Sequence, residues 1–265
     1  MSLRINTNVE AFNAHRNLEG TSNKLAKSME RLSSGFRINR AADDAAGLAI
    51  SEKLRGQIGG LDQARRNVQD GISLVQTAEG SLTEVHSMLQ RSRELAVQWQ
   101  NGTLAREDRA AIVSEVAQLD EEIRRIQSTS QFNGIRLLDT AAQRITFQVG
   151  ANDRETITVQ SEDLNARVGA IDITRTDSLS RIDTMINNVS DLRSNFGAVQ
   201  NRLEHTYNNL SVYQENLSAS ESRIRDVDMA AEMVNFTKNN ILQQAGTSML
   251  AQAQQAPQAV LSLLR

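Results

Sequence analysis

The sequence predicts a mainly α protein, built of long antiparallel helices packed as coiled-coil rods, with one small β-hairpin region. Three observations lead there. An apolar or small residue recurs every seven positions at Leu54, Leu61, Val68, Val75, Leu82, Leu89 and Ala96. The same interval returns, far along the chain, at Ile182, Val189, Phe196, Leu203, Leu210, Leu217 and Ile224. Pro257 is the single proline among 265 residues, so little in the chain forbids helix. Heptads sustained over this length bury a narrow seam against other helices.

Residues 5–32 read as a first helix, with apolar positions at Ile5, Val9, Phe12, Leu18, Leu25 and Leu32. Ser33-Ser34-Gly35 is a stop signal, because glycine is favoured just past a helix end. Asp43-Asp44 offers an N-cap for the longest helix, residues 44 to 100, which at ~1.5 Å per residue spans roughly 80 Å. Asn101-Gly102 ends it. A shorter helix follows, with Ile112, Val116, Leu119, Ile123 and Ile126 spaced alternately four and three apart.

The period then changes. Ile145, Phe147 and Val149 alternate, Gly150-Ala151-Asn152-Asp153 makes a turn, and Ile157 and Val159 alternate again, so a hairpin is expected over about 143–160. Polar, turn-rich sequence runs to Asp177, and the second long heptad starts near Leu179. A last helix runs from about Asp226, with Leu242, Met249, Ala256 and Leu263 keeping the interval of seven.

Two features do not fit a plain coiled coil. Gly47, Gly56, Gly59, Gly60, Gly71 and Gly80 all fall inside the first long helix, each costing up to ~1 kcal/mol relative to alanine. Either another element approaches closely at these positions, or the helix is bent or broken there. The second is Leu95, which shares one helix face with Arg91 and Gln98. Arg91 lies about 200° around the helix from the seam residue Leu89, so this face points away from the internal seam. Leu95 there marks a second partner surface, or is one of the solitary exposed leucines common on proteins.

Net charge is −3 and no stretch concentrates positive charge, which argues against nucleic-acid binding. Aromatics make up 3%, so any core is aliphatic. Lysine occurs only at Lys24, Lys27, Lys53 and Lys238; the arginine excess suits bidentate interface pairs or reflects a genome rich in G and C. Cysteine is absent, excluding disulfides and thiolate metal sites. The start, MSLRINTNVEAF, lacks a basic stretch followed by an apolar core, so export would proceed without a cleaved signal peptide. No run reaches the ~20 apolar residues of a membrane helix, so no membrane insertion is expected.

Enzyme signatures are missing: no GxxxxGK[ST], no strand-linked GxGxxG, no HExxH. His15, His86 and His205 are isolated, and no cofactor or metal is expected. Asp43-Asp44, Glu121-Glu122 and Glu162-Asp163 are adjacent pairs, which do not face each other on a helix. The sequons at Asn101-Gly102-Thr103 and Asn188-Val189-Ser190 are too short to assign glycosylation.

Taken together, the segments resemble bacterial flagellin across residues 1–140 and 178–265. The resemblance rests on Ile5-Asn6-Thr7-Asn8, on Glu30-Arg31-Leu32-Ser33-Ser34-Gly35-Phe36-Arg37-Ile38-Asn39 and on Asp43-Asp44-Ala45-Ala46-Gly47-Leu48-Ala49-Ile50. Arg93-Glu94-Leu95-Ala96-Val97-Gln98, Gln131-Phe132-Asn133-Gly134, and the closing stretch from Asn240-Ile241-Leu242-Gln243-Gln244-Ala245-Gly246 to Leu261-Ser262-Leu263-Leu264-Arg265 complete it.

The resemblance implies that the two chain termini lie side by side. Residues 1–44 and 225–265 then form an inner coiled-coil filament domain, and residues 45–177 and 178–224 an outer rod. Large outer domains of many flagellins are replaced here by Ile173-Thr174-Arg175-Thr176-Asp177-Ser178, a minimal form. The implied function is a subunit that polymerises into the extracellular flagellar filament for swimming. Ile5, Val9, Phe12, Leu18, Leu25, Leu32, Ile241, Leu242, Met249 and Leu263 would serve inner-domain assembly, with Leu242 and Met249 in the seam. Implied partners are other copies, an export chaperone, and the filament-cap and hook-junction proteins. Arg91, Leu95, Gln98 and Glu115 fall where similar flagellins engage a host flagellin-sensing Toll-like receptor or pack between subunits, and residues 30–51 resemble the segment sensed by plant receptor kinases. The competing readings are a hook–filament junction protein, a secreted receptor-binding coiled-coil module and, last, an enzyme.

Overall fold

The structure, a computed structural model, describes residues 8–139 and 143–263, with side chains through residue 255. Six helices carry it: α1 (Val9–Ser34), α2 (Ala45–Trp99), α3 (Arg106–Thr129), α4 (Leu164–Val168), α5 (Ser178–Arg225) and α6 (Met229–Leu263). Four short strands form two separate antiparallel hairpins, β1 (Gln131–Phe132) with β2 (Ile135–Arg136), and β3 (Arg144–Gln148) with β4 (Thr156–Gln160). The chain divides into two compact units, one of residues 1–56 and 216–265, the other of residues 57–215. The division falls inside α2 and α5, rather than at the loops near 44 and 225.

In the larger unit, α2 and α5 run antiparallel, as their cross-helix pairs show. Arg65 donates to Gln214 at 2.7 Å and lies over the Tyr207 ring, Arg193 meets Glu79 at 3.7 Å, and Arg93 reaches Asp183 at 2.6 Å. Between them the expected heptads bury fully, from Leu61 to Ala96 on one helix and from Ile182 to Leu210 on the other. Leu54, Leu217 and Ile224, in the smaller unit, are only half-buried. Helix α3 lies antiparallel to α2 through Ile112, Val116 and Ile123.

The β3–β4 register pairs Ile145 with Val159 and Phe147 with Ile157, placing the alternating apolar residues on one face. The second hairpin was not anticipated from the sequence. Asn133 and Gly134 both take positive φ, 48° and 80°, as a two-residue type I′ turn requires. Leu137 and Leu138 follow it into the core. The small helix α4 was also missed; Asp163 caps it, and Leu164, Val168 and then Ile173 anchor the polar stretch. Thr174–Asp177 is exposed between buried Ile173 and buried Ser178.

The helix glycines separate into two kinds. A Cβ on Gly60 would stand 2.9 Å from the Ala151 Cβ, and one on Gly71 would touch both Leu203 and Phe147 at 3.4 Å. Gly47 lies as closely against Ile38 and Asp44. These three are tight-packing positions. Gly56, Gly59 and Gly80 face open space and admit no such account.

In the smaller unit α1 and α6 run antiparallel, with Asn8 bonded to the Ala253 carbonyl at 2.7 Å and Arg31 opposite Glu232 at 3.5 Å. The two terminal helices are thus side by side. Gly35 ends α1 in the left-handed conformation (φ 74°), its N–H donating to the Arg31 carbonyl at 2.9 Å. The chain then clasps the α5–α6 junction. Arg37 N–H donates to the Arg225 carbonyl at 2.7 Å and Val227 N–H to the Gly35 carbonyl at 3.0 Å. The Asp44 carboxylate caps α2 through Gly47 N–H at 2.8 Å.

Candidate functional site

Which residues fill the α1–α6 seam decides what its outer faces can do. On α1 the inward positions are Ala11, Ala14, Leu18, Thr21, Leu25, Ser28 and Leu32; on α6 they are Glu232, Phe236, Asn239, Gln243, Gly246, Leu250 and Ala253. Both sets step by alternating threes and fours, a heptad in its own right. Yet most members are small or polar. Small residues let the backbones approach closely, as where Leu18 Cδ1 comes within 3.2 Å of the space a Gly246 Cβ would fill.

Many of the large apolar residues point outward instead. Leu242 and Met249, expected in the seam, are 48% and 65% exposed and lie outside it. Their seven-residue row is offset from the row carrying Gly246 and Ala253, which packs on α1 because it is slimmer. Ile241, Val9 and Phe12 are likewise exposed, whereas Leu18, Leu25 and Leu32 face the seam. Ile5 lies outside the described residues, as does the Leu263 side chain.

Two shallow apolar grooves result. One, of about 530 Å³, is lined on α6 by Met233, Val234, Thr237, Lys238, Ile241 and Leu242. The other, about 410 Å³, combines Asn8, Ala11, Phe12 and His15 of α1 with Leu250 and Gln254 of α6. Among the described residues, 30 hydrophobic side chains are buried, and of these only Ile38 belongs to the smaller unit. Of the 15 exposed large hydrophobics, 11 belong to it. That unit is helical but has almost no interior of its own.

Electrostatics hold its joint. Lys27 Nζ lies 2.7 Å from the Asp43 carboxylate, which also accepts from Asn39 and Arg40 N–H; together these hold its pKa down at about 2. Arg225 stacks over Phe36 at 5.0 Å and bonds Glu52 at 2.7 Å, keeping that carboxyl below the ordinary carboxylate range.

The second sequence-derived surface, Arg91, Leu95, Gln98 and Glu115, needs a correction. Leu95 is only 2% exposed. It packs in a cluster with Ile112, Val116, Ile173 and Ile182, so the partner it was expected to seek is α3 and the segment before α5 of the same chain. The heptad showed an apolar residue off the seam, and the 3–4 pattern of α3 was the signal for what covers it. Arg91 and Glu115 do meet, at 2.9 Å, with both side chains about half exposed; Gln98 is exposed on the same helix.

Among the described residues no group of three or more His, Asp or Glu side chains is placed to hold a metal, and no helix is long and apolar enough to cross a membrane.

Long antiparallel helices with outward-facing apolar rows on the terminal pair define a helical structural subunit. The profile of the bacterial flagellin N-terminal helical region matches residues 5–143, and that of the flagellin C-terminal helical region matches residues 179–264. The chain is 58% identical to the flagellin of Halalkalibacterium halodurans, over 98% of this chain and 99% of that one. It is 49% identical to the flagellar filament 33 kDa core protein of Treponema phagedenis, over 98% and 99%. The crystal structure of Bacillus cereus flagellin superposes with a TM-score of 0.51 at 32% identity, covering 55% of this chain and 88% of that one. The chain belongs to the bacterial flagellin family.

Proposed function

We propose that the chain is a structural subunit of the extracellular flagellar filament, and that the outward faces of α1 and α6 join one copy to the next. The observation that carries this is the inverted distribution of apolar side chains: among the described residues, one buried hydrophobic in the smaller unit against 11 exposed large ones. A surface of this kind is a binding surface in a soluble protein. Different faces presented head to tail generate an open helical polymer rather than a closed ring.

The same deficit means that α1 and α6 gain most of their stabilisation from neighbours. Free subunits should therefore lose these helices, and far-UV circular dichroism should report a large helix gain on polymerisation. Equal helicity in the two states would overturn that part of the reading. Leu242→Asp and Met249→Asp test the joining surface itself. Each places a charge on an exposed position of the free chain, so the larger unit should fold normally while filament yield collapses. Normal filaments from either variant would sink the proposal.

An export chaperone, the filament cap and the hook-junction proteins are the further partners this reading expects. Recognition by a flagellin-sensing Toll-like receptor would use Arg91, Gln98 and Glu115, the solvent-facing members of their patch. Residues 30–51 would supply the segment read by plant receptor kinases. No catalytic role is proposed.

A further inference from the structure

We propose that Met29, Met229, Met233 and Met249 are peroxide-sensitive positions on the outer faces of α1 and α6, and that their oxidation state decides whether a free subunit can join a polymer. The inference rests on the filament reading above and adds to it a chemical control. The chain has seven methionines and no cysteine. Six methionines lie in the described residues, and they fall into two groups. Met29, Met229, Met233 and Met249 are 53%, 49%, 48% and 65% exposed, and all belong to the smaller unit. Met185 is 6% exposed and Met88 half-buried, both in the larger unit.

Exposure governs the rate of thioether oxidation, because the sulfur needs no activation beyond access to the oxidant. With hydrogen peroxide, a sulfur lone pair attacks one peroxide oxygen and the O–O bond breaks. The second oxygen leaves as water after proton transfer. Sulfur is oxidised by two electrons and the peroxide is reduced by two. Cysteine thiolates, the faster sink in most proteins, are absent here, so the four exposed sulfurs receive the oxidant directly.

The consequence differs between the free and joined states. In the free chain these segments face water, and do so all the more once α1 and α6 lose their helices, so the sulfoxide oxygen stays hydrated and the free chain tolerates it. Between joined apolar faces the same oxygen must shed most of its water, which costs free energy. Met233 lines the α6 groove with Val234, Thr237, Lys238, Ile241 and Leu242; the Thr237 hydroxyl already donates to the Met233 carbonyl at 2.9 Å, so an added oxygen there sits mostly among apolar carbon. Oxidation is thus predicted to block entry of free subunits while sparing sulfurs already packed between copies. Reduction of the sulfoxides by methionine sulfoxide reductases would restore competence.

The test treats the purified full chain with hydrogen peroxide, free or already polymerised, maps sulfoxides by peptide mass spectrometry, and measures polymer by sedimentation. In the free chain Met29, Met229, Met233 and Met249 should oxidise before Met88 and Met185, and in the polymer they should be protected. Oxidised subunits should give at least about tenfold less polymer, recovered after reductase treatment. The variant Met29→Leu/Met229→Leu/Met233→Leu/Met249→Leu alters the joining surface itself, so it is scored against its own untreated yield, which peroxide should leave unchanged. Three results overturn the proposal: Met185 oxidising as fast as the four, fully oxidised wild type polymerising normally, or the quadruple variant losing polymerisation under peroxide as wild type does. Failure of the untreated wild type to polymerise is a separate outcome, and it removes the filament reading and this proposal together.

Discussion

Arg31 of α1 and Glu232 of α6 meet across the small-residue seam at 3.5 Å, with the Glu232 side chain 8% exposed and Arg31 27% exposed. A charge placed in a seam fixes the axial register of two helices that could otherwise slide. Glu232→Ala leaves Arg31 without its partner. It should lower filament stability by about 1–2 kcal/mol, less than for a fully buried pair because Arg31 keeps some water. The double variant Arg31→Ala/Glu232→Ala should recover part of the loss. Melting of filaments followed by light scattering checks both, and a double variant worse than the sum of the singles would exclude the register role.

Asp43 gives a pH dependence with a defined window. Its pKa is lowered from 3.8 to about 2 by Lys27 and by the Asn39 and Arg40 amides, so the native state favours the ionised form. A depressed carboxylate contributes stability above its unfolded pKa and loses it as pH falls through the folded one. The clasp between residues 35 and 44 should therefore hold at pH 5 and weaken between about pH 4 and 2. Asp43→Asn should remove this acid-sensitive component and be less stable than wild type at pH 7. Acid titration of filaments followed by circular dichroism reads the difference.

Leu95→Ala removes a side chain from the cluster around Ile112, Val116 and Ile182. It should cost about 2–4 kcal/mol in chemical denaturation of the larger unit, whereas Gln98→Ala on the surface should stay within about 0.5 kcal/mol. In a receptor reporter assay the two variants answer different questions. A response lost on Leu95→Ala reflects disturbed packing, and contact is tested by Arg91→Ala, Gln98→Ala and Glu115→Ala in a chain shown to be folded.

Gly59 and Gly60 are neighbours on α2 with opposite expected signs. Gly59 faces open space, so Gly59→Ala should raise stability by up to about 1 kcal/mol through helix propensity. Gly60→Ala would set its methyl 2.9 Å from Ala151 and 3.3 Å from the Ala151 backbone, displacing the β3–β4 turn. It should destabilise. Denaturant midpoints for the two variants, moving in the same direction, would refute the packing account.

The heptads of α2 and α5 were legible because each side chain at that spacing meets one partner over many turns. The β3–β4 hairpin was legible from its change of period. The β1–β2 hairpin carried a clear signal, Asn133-Gly134 between Phe132 and Ile135, but its strands of two residues are too short for alternation to register. Leu95 shows a different limit. Periodicity identifies an apolar side chain off the seam without saying which element covers it. In α6 two apolar rows share the interval of seven, and only backbone proximity selects the slimmer one, through Gly246 and Ala253, to pack on α1. The sequence motif that carried the family resemblance there includes both rows.

The segment between α4 and α5 also has a practical side. Ile173 and Ser178 are held in place, while Thr174, Arg175, Thr176 and Asp177 between them are exposed. A foreign peptide spliced between Arg175 and Thr176 would leave both anchors untouched and add only a modest loop-closure cost, since that cost grows slowly with length. Every copy in a polymer would then carry the insert once, so this short loop makes the chain a scaffold for regularly spaced display.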